Sequence, residues 1–274
     1  LDLSTQMKGW KCVRTIGGGS FGTVFEIARG REHSALKVIP IPLTEGELHE
    51  KELEMGHDQN LMHIEFQHQV DRVLEKEISV LDMCRGQQNI VQLYEYEVMA
   101  DPERPICFYV LIRMEMLRDL VEWLYEGKTQ KDVLVMFRDI ARALTFLESR
   151  RMLHRDIKRA NIMVSSNGTY KLTDFGEARD ILSKNAASTM AGTPFFMAPE
   201  VANGGRYDNR ADIYSLAMTV YYCLYSLRYP FQDRTGISRR SSRDAYELRK
   251  EGRPIDGIPD VDPRFNKILL RCLS

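Results

Sequence analysis

Polar and charged side chains crowd into His154-Arg155-Asp156-Ile157-Lys158-Arg159-Ala160-Asn161, a stretch flanked by two apolar elements. A loop of this kind must satisfy its polar groups, and a ligand is one way to do so. Each residue type suits one part of a single chemistry. Asp156 can accept the proton of an attacking hydroxyl, Lys158 can neutralise a moving phosphoryl group, and Asn161 can hold a cation. Further on, Thr173-Asp174-Phe175-Gly176 follows a short apolar run. A carboxylate at a strand end suits Mg²⁺, which takes one or two carboxylates plus substrate phosphates. The bland alternatives are a charged surface loop and a plain D-x-G turn.

Two features near the N-terminus fit a phosphate ligand. Gly17-Gly18-Gly19-Ser20-Phe21-Gly22-Thr23-Val24 matches G-x-G-x-x-G-x-V, and glycines let a backbone approach phosphate oxygens with no Cβ in the way. Alone this is also what a glycine-rich hairpin turn looks like. A dinucleotide site would need a helix directly after the last glycine, whereas residues 23–27 read as strand. Lys37 then sits within the apolar run Ala35-Leu36-Lys37-Val38-Ile39. It either faces solvent or is buried and paired, because an unpaired buried cation is costly. A later helix offers two partners, Glu77 and Glu75. Ile78 and Leu81 place the apolar face beside Glu77, while an error of one residue would rotate the face by about 100° and favour Glu75.

These residues need elements to position them. Residues 10–16, 23–28 and 34–39 read as strands separated by turn signals. A polar stretch, 44–69, merges into a helix over 70–84, where Val73, Leu74, Ile78 and Leu81 recur at helical spacing. Residues 90–98 and 107–114 alternate as strands. Val133, Met136, Phe137, Ile140, Leu144 and Leu147 form an amphipathic helix. Short strands over 162–164 and 170–173 flank the Asn167-Gly168 turn, and helices follow over 210–227 and 264–273. Strands first and helices later give an α+β class with two lobes. The expected boundaries are 1–116, with an insertion at 44–69, and 117–274, with the hinge at 115–117.

With Ala198-Pro199-Glu200 closing the loop after Asp174, this ordered set resembles the eukaryotic-like (Hanks-type) Ser/Thr protein kinases from about Lys8 to the last residue. The resemblance implies a bilobal kinase fold, with an antiparallel sheet and one main helix in the N-lobe and a mostly helical C-lobe. It implies transfer of the γ-phosphate of ATP, with Mg²⁺, to the Ser or Thr of a protein substrate. By the same match Ile16, Gly17, Gly18, Gly19, Ser20, Phe21 and Gly22 would cover the nucleotide. Val24 and Ala35 would roof the adenine, with Met163 beneath. Met114 would be the gatekeeper, and the backbone of Glu115 and Leu117 would bind the adenine edge. Lys37, held by Glu77, would grip the phosphates. Asp156 would be the base, Lys158 its partner, and Asn161 and Asp174 the metal ligands. Leu81, Leu93, His154 and Phe175 resemble the regulatory spine, anchored by Asp212. Lys158 and Gly192-Thr193-Pro194 match the Ser/Thr pattern rather than the Tyr pattern. Thr189, then Ser188, best match the activation-loop phosphosite, which Arg155 would pair.

Some positions depart from the family. Arg159 and Ala160 replace the common Pro-Glu, and Tyr214 and Ala217 replace the usual Trp and Gly. No position can be matched to the arginine that pairs with the Glu of Ala-Pro-Glu. The 44–69 insertion holds His49, His57, His63 and His68. It reads as a solvated, partly helical excursion rather than a zinc site, and by its position as a place where a regulatory partner could shift the Glu77 helix. The insertion and the Ile112-to-Leu117 and Asp212-to-Leu216 stretches are similar to the bacterial group of these kinases. The Ile-x-Met-Glu hinge is also similar to the kinases acting on the translation initiation factor.

Composition excludes several classes. With 38 Lys and Arg against 39 Asp and Glu, there is no nucleic-acid footprint. Five cysteines without a C-x-x-C pair read as reduced thiols in a cytoplasmic setting. The longest uncharged run, 213–227, is too short for a span of about 20 residues and reads as a buried helix, so no membrane crossing is expected within this chain. The rival to an enzyme is a pseudokinase serving as an ATP-binding scaffold or interaction module, which would usually lack Lys37, Asp156 or Asp174. A small-molecule kinase would lack the long loop ending at Glu200.

Overall fold

The computed structural model describes residues 9–19, 22–127, 129–180, 194–232 and 241–274. The chain divides into two compact units, one of residues 1–87 and 91–117 and one of residues 88–90 and 118–274.

In the first unit β1 (Lys11–Gly19), β2 (Gly22–Arg29), β3 (Glu32–Ile41), β4 (Leu93–Ala100) and β5 (Phe108–Glu115) form one sheet in the order β1-β2-β3-β5-β4. All neighbours are antiparallel. β3 is buried along Ser34 to Ile39 without alternation, because both faces of this central strand are covered. Trp10, Ile27, Leu36, Val38 and Leu111 form a core cluster here. The guanidinium groups of Arg29 and Arg113 each lie 4.8 Å from the Trp10 ring centroid, a cation–π arrangement that seals the cluster. At the β1–β2 turn Gly19 faces Gly22 across the ladder. Ser20 and Phe21 lie outside the described residues. Gly22 has φ +121°, and a Cβ there would sit 2.3 Å from the Val38 carbonyl oxygen, so only glycine fits.

The 44–69 stretch is more regular than its polarity suggests. It forms α1 (Glu45–Glu54) and most of α2 (Gln59–Val73). Thr44 caps α1, its hydroxyl accepting from the Glu47 N–H at 3.1 Å. Asp58 caps α2, accepting from the N–H groups of Asn60 and Leu61. Met62, Phe66 and Val70, four residues apart, form the buried stripe of α2. The helix expected from residue 70 therefore begins at Gln59. It continues through a π-helical turn, Leu74–Ile78, into α3 (Ser79–Met83).

The second unit is built around α5 (Gln130–Ser149) and α7 (Asn209–Leu224), which pack on each other. α5 buries Val133, Met136, Ile140, Ala143, Leu144 and Leu147 on one face. α7 is buried almost all round, from Ala211 to Tyr221 except Ile213. It ends at Leu224, short of the expected 227, because Ser226 and Leu227 adopt φ of 56° and 58°. β6 (Arg118–Asp119), β8 (Ile162–Val164) and β9 (Tyr170–Leu172) form a small antiparallel sheet, and β7 (Met152–Leu153) pairs with β10 (Arg179–Asp180). Thr173, expected in the strand, lies just past it. α4 (Leu120–Tyr125) is capped by Asp119. α6 (Pro199–Ala202), α8 (Ser242–Lys250) and α9 (Pro263–Cys272) complete the unit. Among the described residues no helix is long and apolar enough to cross a membrane.

Gly22→Ala should destabilise the first unit by about 2 kcal/mol or more, since it combines a backbone clash with an unfavourable φ. Thermal melting should register this as a fall of roughly 4–8 °C. Gly18→Ala, with nothing within 4 Å of the added methyl group, should leave the melting temperature nearly unchanged.

Candidate active site

Lys37 lies in β3 opposite Val24 of β2 and Ile112 of β5. Its ammonium donates to Glu77 Oε1 at 2.6 Å, and both residues are more than nine-tenths buried. Each charge offsets the desolvation cost of the other, and losing one partner of such a pair costs about 3–5 kcal/mol. Glu77 belongs to the π turn, whereas Glu75 is exposed. Ala35 pairs with Met114 in the β3–β5 ladder, Met114 also faces Leu93 of β4, and Gly17 pairs with Val24. Ile16 is half-buried next to them. The Glu115 N–H donates to the Gln92 carbonyl at 3.0 Å, and Leu117 is buried. Leu81 and Leu93 are also buried.

In the second unit the His154-to-Asn161 loop runs from β7 to a 3-10 turn, Arg159–Asn161. Asp156 Oδ2 accepts from Lys158 Nζ at 2.7 Å and from Asn161 Nδ2 at 3.0 Å. Asn161 Nδ2 also reaches the Asp156 carbonyl at 2.8 Å. With its NH₂ group turned to Asp156, the Asn161 amide directs Oδ1 elsewhere, a suitable end for a hard cation. The Asn161 carbonyl accepts from the Thr173 N–H at 2.9 Å and from the Thr173 hydroxyl at 3.2 Å. These bonds tie the loop to the residue before Asp174. His154 bridges the same two segments, with Nε2 3.0 Å from the Thr173 carbonyl and Nδ1 accepting from the Asp156 N–H at 3.3 Å. With Nδ1 accepting, Nε2 is the nitrogen that donates to the Thr173 carbonyl. Phe175 stacks edge-on against His154 at 4.9 Å. Asp174 is held at φ +61°, a left-handed conformation uncommon outside glycine that turns the chain abruptly after β9. Met163 lies in β8, paired with Lys171 and with Asp119.

Asp212 of α7 holds this loop from below. Its carboxylate accepts from the His154 N–H at 2.8 Å, the Arg155 N–H at 2.9 Å and the Tyr207 hydroxyl at 2.7 Å. Sequence reasoning identified Asp212 and missed Tyr207, because nothing marks one tyrosine before a helix as the third donor. Burial, then the neighbouring Asp212 charge, lifts the Tyr207 phenol well above its ordinary pKa, so it remains a donor. Arg155 is buried, its guanidinium 5.4 Å from the Tyr207 ring centroid. Burial holds its pKa below the usual arginine value.

Glu200 is exposed among the described residues. Tyr214 is buried close to Arg249, whose guanidinium lies 5.8 and 5.7 Å from the ring centroids of Tyr229 and Tyr246. Among the described residues no cluster of three His, Cys, Asp or Glu side chains is placed to hold a metal ion. The histidines of 44–69 form no such cluster. The candidate phosphosites Thr189 and Ser188 lie outside the described residues.

Compared with known proteins, residues 10–274 match the family described as protein kinase domain. The chain is 31% identical to the human Ser/Thr-protein kinase ULK1 over 246 residues, 86% of this chain and 21% of that protein. It is 30% identical to Ser/Thr-protein kinase pakG of Dictyostelium discoideum over 206 residues, 74% of this chain and 15% of that protein. It is also 30% identical to Ser/Thr-protein kinase TOS3 of Saccharomyces cerevisiae over 255 residues, 84% of this chain and 42% of that protein. The chain thus spans less than half the length of these relatives. All three are eukaryotic, and the expected bacterial grouping is not borne out.

Asp212→Ala should strand two backbone N–H groups and the Tyr207 hydroxyl, costing about 3–5 kcal/mol in a chemical-denaturation series. Tyr207→Phe removes one donor from a carboxylate that keeps two others, and should cost about 1 kcal/mol.

Proposed function

The chain belongs to the protein kinase family, and on that premise we propose that it transfers the γ-phosphate of ATP to Ser and Thr hydroxyls of proteins. The observation that carries this reading is the Asp156 carboxylate, fixed by Lys158 and Asn161 on a loop bonded to the residue before Asp174. The substrate hydroxyl gives its proton to Asp156 as its oxygen forms a bond to the γ-phosphorus. The bond from that phosphorus to the bridging oxygen breaks, and ADP departs with the electron pair. Lys158 lies against the oxygen of Asp156 that would take the proton, so it offsets charge as the phosphoryl group moves. Lys37, held extended by Glu77, is the cation for the α- and β-phosphates. The Gly17-to-Gly22 turn supplies backbone N–H groups with little side-chain bulk.

The donor set fits Mg²⁺. Asn161 Oδ1 and the Asp174 carboxylate are hard oxygen ligands, and a metal that also takes phosphate oxygens needs few from the protein. When bound, the metal neutralises the phosphates. The Ser/Thr choice follows Lys158 and the relatives named as Ser/Thr kinases.

Control of this activity is part of the reading. A phosphate on Thr189 or Ser188 would offset the buried Arg155 charge, which burial alone disfavours. A partner on the 44–69 insertion would act on Glu77 through α2, which runs unbroken into the π turn, and Leu53 of α1 and Leu61 and Ile64 of α2 present apolar surface there. The free thiols Cys12, Cys84, Cys107, Cys223 and Cys272 fit a reducing cytoplasm.

Labelled ATP with Mg²⁺ should phosphorylate Ser or Thr in a generic basic protein, and Asp156→Asn should lower that rate by about 10²–10⁴-fold. ATP binding without transfer, by the chain phosphorylated at Thr189 or Ser188 as well as by the unmodified chain, would overturn the enzyme reading in favour of a scaffold.

A further inference from the structure

We propose that Arg159 is a specificity-determining residue that selects substrates with an anionic side chain, carboxylate or phosphate, within about three residues of the accepting hydroxyl. The inference rests on the protein kinase reading and names the substrate class of that same site.

Arg159 opens the 3-10 turn whose last residue, Asn161, bonds Asp156 through its side chain and the Lys158 carbonyl through its N–H. The cation is therefore built on the same rigid turn as the group expected to receive the hydroxyl proton. Its guanidinium lies 6.0 Å from the centroid of the Tyr222 ring. Tyr222 in turn meets Tyr229 at 4.8 Å and Phe196 at 6.0 Å. An aromatic support of this kind holds a long side chain extended and reduces the rotamer freedom lost on pairing.

Among the described residues the charge at Arg159 has no ion-pair partner. Lys158 is paired with Asp156, but among the described residues no carboxylate lies within 4 Å of the Arg159 guanidinium. α4 packs on this turn, yet its one acidic residue, Glu122, is exposed and forms no ion pair with Arg159. Ala160 adds no charge. An unpaired arginine is ordinary on a protein surface. This one stands three residues from Asp156, a separation of at most about 10 Å along the backbone. A peptide that delivers a hydroxyl to Asp156 must pass it within a few residues. The planar fork of arginine pairs two-pronged with carboxylate or phosphate, whereas a basic substrate residue at the same place meets like charge.

The test uses the full chain and peptides that differ only at the three positions on each side of one Ser. Ala, Glu, phosphoserine or Lys is placed at each position in turn. At one or more positions Glu should raise kcat/KM over Ala roughly three- to tenfold, mainly through KM, and Lys should lower it. Added salt should shrink the preference. A larger gain from phosphoserine than from Glu assigns the anion as phosphate, and the reverse assigns it as carboxylate. Arg159→Gln should bring the Glu-to-Ala ratio close to one, and Arg159→Glu should turn the preference toward Lys. Equal rates on Glu, Ala and Lys peptides overturn the inference while leaving the kinase reading intact. So does an acidic preference that survives in both variants. Should Arg159→Glu not fold, the native and Arg159→Gln ratios decide alone. No transfer to any peptide by the native protein overturns the kinase reading and this inference with it.

Discussion

The carboxylate of Asp212 is the point on which the second unit depends. A buried charge is tolerable only when its oxygens are fully engaged. Here they accept from two consecutive backbone N–H groups and one phenol. Two successive N–H groups aimed at one carboxylate fix the peptide planes at His154 and Arg155, the latter at φ +70°. Everything downstream inherits that constraint. Asp156 leaves the bend in one direction, the 3-10 turn returns Asn161 to it, and the Thr173 bonds draw Asp174 alongside. A loop with few apolar side chains of its own is thereby made rigid by polar bonds to one helix.

In the first unit the comparable constraint is the Lys37–Glu77 pair. It differs in kind. Asp212 is satisfied by fixed backbone donors, whereas Lys37 and Glu77 satisfy each other across separate elements. Such a pair stays intact only while the helix holds its phase relative to β3. The sheet supplies rigidity through the buried central strands. The helix supplies the adjustable side, and the buried stripe of Met62, Phe66 and Val70 sets where that side rests.

Much of this was legible in the residues. The spacing of Asp156, Lys158, Asn161 and Asp174 is a chemical pattern that tolerates little variation, and the run from Ala35 to Ile39 put Lys37 in an apolar strand, with its burial decided only by the fold. The helical character of 44–69 was obscured because its apolar residues are sparse. Thr44 followed by Glu47, and Asp58 before Asn60, were nevertheless readable as helix starts. Tyr207 was not readable, since its role depends on a side chain meeting Asp212 in three dimensions. The Tyr214 position was visible only as a substitution, and the placing of Arg249 beside Tyr214, Tyr229 and Tyr246 required the packed chain.

The π turn at Leu74–Ile78 has a consequence for how this chain can vary. A π turn holds one residue more than the α-helical path it replaces, so the segments on either side are out of phase by about 100°. The phase that points Glu77 at Lys37 and the phase that buries Met62, Phe66 and Val70 are therefore set by separate stretches of sequence, with the surplus residue absorbing the difference. Deleting one residue from the turn would let the whole run become α-helical with both faces kept, whereas straightening the turn with every residue in place would rotate Glu77 by about 100° away from Lys37. The turn thus acts as a splice. It lets the α1–α2 segment precede Glu77 without matching the helical phase of that residue.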